Sequence, residues 1–131
     1  LTGYVTGGYA ATGPTRILDT RTGAGAPKGP VGPKGTVVLT VPDLPVGTVA
    51  VVLNLAGTGL TGAPNTYVSA CPAAEPLATC TTTSVLNAVR GVDISNQITV
   101  PVGPDGKITL YNNAGSTDLI ADLAGYHLAH E

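Results

Sequence analysis

The sequence predicts an all-β fold: a single-domain two-sheet β-sandwich, with a closed barrel as the alternative. Three observations lead there. Short runs rich in Val, Ile, Thr and Leu recur along the chain, Gly, Pro and Asn separate them, and almost no stretch carries a helical period. A length of 131 residues suits one domain. Phe, Trp and Met are absent, so the core falls to Val, Leu, Ile, Ala and some of the five Tyr. With 43% hydrophobic and 11% charged residues, the chain lies outside the composition of disordered segments.

The elements follow in order. GYVTGGYA (3–10) is a candidate leading strand, and RILDTR (16–21) is the first well-marked one. In extended chain, Ile17, Asp19 and Arg21 share one face and Arg16, Leu18 and Thr20 the other. TGAGAPKGPVGPKG (22–35) is too rich in Pro and Gly for regular structure, and its small residues let the backbone lie close to a sheet. TVVLTV (36–41) is a strand, and TVAVVLNLA (48–56) is apolar on both faces, as expected of a central strand covered on each side. TYVSAC (66–71), SVLNA (84–88), NQITVP (96–101), GKITLYN (106–112) and TDLIADLAGY (117–126) complete the set. PDG (104–106) and NNAG (112–115) are turn signals, which predicts two hairpins joining the last three strands.

Charge and cysteine usage narrow the function classes. Six Lys and Arg against eight Asp and Glu give a net charge of −2 with no basic stripe, which argues against a nucleic-acid partner. No apolar run reaches the ~18–20 residues of a membrane span, and no signal peptide is seen. Cys71 and Cys80 sit nine residues apart in CPAAEPLATC. Two cysteines without nearby histidines make a poor zinc site, so a disulfide and an oxidising, extracytoplasmic setting are expected.

LTGY (1–4) echoes LAGY (123–126) at a separation of 122 residues. That spacing divides the chain into 1–13, the tail of a preceding repeat or a first strand, and 14–131, the module itself. The series PTRILDTR, AVVLNLA, SVLNA and ITVPVGPDGKITLYNNAGSTDLIADLAGY resembles a repeat of secreted and cell-surface proteins, mainly actinobacterial, over residues 14–126. Such repeats start P-x-R-[IL]-L-D-T-R and end D-[VL]-x-G-Y. The resemblance implies an extracellular β-rich module, often in tandem or beside secreted hydrolases, and brings no catalytic residue with it. His127 after the final Tyr, and the absence of Phe, depart from the pattern.

No catalytic constellation emerges. His127 and His130 lie at the C-terminal end, and Ser69, Ser84, Ser95 and Ser116 sit in no G-x-S-x-G elbow. Asp118 and Asp122, four apart on a strand, stand ~13 Å apart, too far for a glycosidase pair. No calcium-loop array occurs. Asn112, Asn113 and Asp118, with Asp93 more remote, could offer oxygens, but turn formation explains the asparagines better. No enzyme activity, metal or cofactor is expected.

The functional expectation is a glycan-binding module with Tyr67 or Tyr111 as platform and Asn65, Arg90, Asn112 and Asn113 as polar partners. The alternative is a structural or assembly module contacting a surface protein, neighbouring repeats or further copies of itself. RILDTR reads as a structural joint: a bidentate Arg–carboxylate pair among Arg16, Asp19 and Arg21, with Asp118 and Asp122 as further partners. The remaining reading of the same charges is a surface recognition site.

Overall fold

A computed structural model describes residues 8–82, 84–103 and 105–129. Eight strands and one short helix follow in order: β1 (Gly8–Asp19), β2 (Gly35–Thr40), β3 (Thr48–Thr61), β4 (Asn65–Pro72), α1 (Leu77–Cys80), β5 (Leu86–Val89), β6 (Ile94–Pro101), β7 (Lys107–Asn112) and β8 (Ser116–Leu128). They form two four-stranded antiparallel sheets, of order β1-β8-β3-β6 and β2-β7-β4-β5. The two-sheet sandwich is therefore borne out. Every connection but β4–β5 crosses from one sheet to the other, the topology of an eight-stranded jelly roll.

Alternation sets the core. Val37 and Leu39 of β2, Val51, Leu53 and Leu55 of β3, Ile108 and Leu110 of β7, and Leu119, Ala121 and Leu123 of β8 point between the sheets. Tyr126 packs at the margin of an otherwise aliphatic cluster. With no large ring inside, two closely stacked sheets of branched side chains are the packing this composition permits.

Three expectations need correction. Gly106 and Gly115 do take the positive φ expected of turns, 68° and 61°, but no hairpin closes at either place. Both edges of β7 are taken by β2 and β4, and both edges of β8 by β1 and β3, so β6, β7 and β8 never pair with one another. Positive φ announces a reversal and leaves open which sheet receives the returning strand.

β3 is central in its sheet, but its outer face is covered only in part: Val52 is buried there while Asn54 stands exposed. The simple alternation in RILDTR also breaks, because β1 is bulged between Arg16 and Leu18, and Arg21 lies beyond the strand end. Residues 8–13, expected as the tail of a preceding repeat or a first strand, are part of β1, whose first residue Gly8 pairs with Leu128; LTGY itself lies outside the described residues.

The 22–35 segment behaves as composition suggests. It holds no strand before β2 begins at Gly35, touches the sheets through isolated bridges Asp19–Ala24 and Val31–Thr117, and presses Gly25 so close to β1 that a Cβ there would sit 2.2 Å from the Ile17 carbonyl oxygen.

Candidate functional site

The charged cluster of RILDTR is a joint at one margin of the first sheet. The bulge leaves Leu18 pointing into the core opposite Ala121 and brings Arg16 to the same side as Asp19. Asp19 is 3% exposed. Arg21 grips it with both arms, Nε to Oδ1 at 3.0 Å and NH2 to Oδ2 at 2.9 Å, while the Arg21 backbone N–H donates to Oδ1 at 3.0 Å. Arg16 lies 3.6 Å from the same carboxylate and donates from Nε to Asp122 Oδ1 at 2.9 Å.

The hydrogen bonds from Arg21 hold the Asp19 carboxyl below its ordinary range, against the opposing effect of burial. The same pair raises the Arg21 guanidinium, and Asp122 raises Arg16. Asp118 makes no ion pair among the described residues. Its Oδ1 accepts from the Thr20 hydroxyl at 2.8 Å, and that hydroxyl in turn accepts from the Leu119 N–H at 3.0 Å.

Asn112 is removed from the ligand set. It has no exposed surface. Its amide nitrogen donates to the carbonyls of Val31, Gly32 and Gly115 at 2.9, 3.2 and 3.0 Å, and its Oδ1 accepts from the Thr66 hydroxyl at 2.7 Å. It locks the β7–β8 corner to the loop after β1. Arg90 also stands apart, in the β5–β6 turn, where its backbone N–H donates to Pro64 at 3.0 Å. Asn65, at the start of β4, belongs to that same end.

Tyr67 and Tyr111 do come together. Both project from the outer face of the second sheet, with ring centroids 6.2 Å apart and planes tilted by 51°. The Tyr111 hydroxyl donates to Asn113 Oδ1 at 3.1 Å, and that of Tyr67 to the Thr81 carbonyl at 3.4 Å. Above them runs the β4–β5 connection, pinned by the Cys71–Cys80 disulfide, which closes the expected clasp with its Cα atoms 5.7 Å apart. Two shallow hollows of about 340 Å³ each open beside Thr81. One is lined by Tyr67, Thr81, Thr82, Ser84 and Asn87. The other is lined by Lys34, Leu77, Ala78, Thr81 and Tyr111.

Sequence reasoning missed Asn87, though it alternates outward between buried Leu86 and Ala88, and missed the hydroxyls of Thr81, Thr82 and Ser84 after the helix. It also passed over Tyr9, which sits in the segment read as a preceding repeat's tail or a first strand.

The one group of three potential metal ligands among the described residues is Cys71, Glu75 and Cys80, within 4.8 Å of one another. Both sulfurs are bonded to each other, so neither offers a thiolate. Among the described residues no helix is long and apolar enough to cross a membrane. His127 packs against Tyr9 at 5.1 Å; His130 lies outside the described residues.

No protein-family model and no curated protein matches the chain. The likeness to the actinobacterial surface repeat thus rests on the quoted motifs themselves.

Proposed function

We propose that the protein is a non-catalytic extracellular module that binds a glycan on the outer face of its second sheet. The observation that carries this reading is the hollow in which Tyr67 faces Asn87, Thr81, Thr82 and Ser84. A half-buried aromatic ring gives the C–H face of a sugar an apolar contact, and a surrounding set of amide and hydroxyl groups matches its hydroxyls. None of these groups is charged, which favours a neutral sugar. The disulfide supports an oxidising compartment, where cell-surface polysaccharides are encountered. The jelly-roll scaffold is compatible with lectin domains but carries no function by itself.

The test is calorimetric titration of the 131-residue chain with soluble neutral gluco-, xylo-, manno- and N-acetylgluco-oligosaccharides. Tyr67→Ala and Asn87→Ala should each weaken the binding of one series while leaving the melting temperature near that of the parent. Binding of no series, together with a dimer or higher species by size-exclusion, would favour the assembly-module reading instead.

A further inference from the structure

We infer that the outer face of the first sheet carries a second sugar-stacking site, built around Tyr9, for a neutral glycan chain. It shares its ligand class with the proposed function above and uses none of the same residues.

Tyr9 is 51% exposed on the edge strand β1, opposite His127 of β8. A Cβ on Gly125 would meet its Oη at 2.2 Å, Cζ at 2.4 Å and Cε1 at 2.6 Å. Three successive atoms at nearly one distance mean that the ring lies across the glycine rather than standing upright on it. The Tyr9 hydroxyl donates to the Ala124 carbonyl at 3.2 Å, which fixes that pose. One face of the ring thus rests on backbone and the other looks into solvent, with the His127 ring tilted by 50° at its side. A glycine at position 125 is what admits this arrangement.

Beside the ring runs a polar row across all four strands. Arg16 pairs in register with Asp122, Asp122 with Asn54, and Asn54 with Gln97. Val52, the register partner of Gly125, is two residues from Asn54. The row therefore lies about 7 Å along the sheet from the ring's seat, the reach of one pyranose and its hydroxyls.

Among the described residues the exposed amides of Asn54 and Gln97 have no hydrogen-bond partner. The charges of the row are already matched, Arg16 to Asp122 at 2.9 Å and to Asp19 at 3.6 Å. The row therefore offers dipoles and matched charges beside an aromatic plane. This complements an uncharged sugar and suits neither a polyanion nor a basic peptide. With Tyr67 on the opposite sheet, the module is bivalent.

The experiment titrates the full chain with the same oligosaccharide series and reads stoichiometry as well as affinity. The expected result is two binding events per chain. Tyr9→Ala removes one and Tyr67→Ala the other, while Tyr9→Phe, which keeps the ring, retains both. Asn54→Ala and Gln97→Ala, at exposed positions, weaken the Tyr9-dependent event about tenfold, equivalent to one lost hydrogen bond of the stronger kind; they decide the matter should Tyr9→Ala fail to fold. Binding that Tyr67→Ala abolishes, with Asn54→Ala and Gln97→Ala inert, overturns this site and leaves the proposed function standing. Binding that depends on Tyr9 and Asn54 alone overturns the hollow and supports this site. No binding by any series overturns both.

Discussion

Asn112 is the residue on which most depends for its size. A side-chain amide has two N–H donors and one carbonyl acceptor, and here three carbonyls and a hydroxyl converge on it in a site without solvent. Asn112→Ala should cost about 2–4 kcal/mol in urea unfolding, since the orphaned carbonyls lose their donor away from water. Asn112→Asp should be worse, because it sets a carboxylate oxygen against carbonyl oxygens.

The Asp19–Arg21 pair makes a different forecast, one that depends on pH. A carboxyl whose folded pKa lies below its unfolded value stabilises the fold above the unfolded pKa, near 3.8. That contribution is lost as pH falls through the lower, folded value. The melting temperature of Arg21→Ala should therefore fall furthest below the parent's at pH 6–7, and the gap should narrow and close as pH falls below the ordinary carboxylate range. Arg16→Ala, removing a half-exposed partner, should shift the melt less. Equal melts for the parent and both variants at neutral pH would return these charges to a recognition role. The Arg–Asp joint was readable from six residues of sequence because charge is scarce in this chain; the burial of Asn112 was not, because NNAG reads equally well as an exposed turn.

At the scale of elements, strand positions were legible and strand partners were not. Seven expected strands match observed ones to within two or three residues at most ends, since branched residues between Gly and Pro leave little choice of conformation. Pairing depends on what lies across the sandwich, which no local run encodes. The bulge in β1 was invisible for the same reason: RILDTR alternates well as a plain strand, and only the register with β8 reveals the extra residue.

The short helix and its disulfide border the hollow beside Tyr111 and anchor the chain just before Thr81 and Thr82, which line the Tyr67 hollow. Opening the clasp, by reductant or in a Cys71→Ser/Cys80→Ser chain, should lower stability by about 2–3 kcal/mol in denaturant titration. It should also weaken any Tyr67-dependent binding while leaving Tyr9-dependent binding intact. Thiol alkylation of unreduced protein should add no mass; two alkylated cysteines would refute the pairing.

For the whole molecule, the composition that forbids a large aromatic core leaves three tyrosines on the outer faces, while Tyr126 packs at the core's margin. A thin aliphatic sandwich has no room for them between its sheets, and Tyr67, Tyr111 and Tyr9 lie on the outside of both layers. The topology has a further, mechanical consequence. Gly8 at the start of β1 and Leu128 at the end of β8 are register partners, so tension applied through the two chain ends acts across the strands rather than along them. Backbone bonds of the β1–β8 pair are then loaded one after another instead of together, and the module yields by peeling. The peel first meets the Tyr9 ring, held to the Ala124 carbonyl and packed on His127. Beyond it Arg16 ties β1 to Asp122, so the first ionic resistance to stretching falls on the six residues where this chain concentrates its charge.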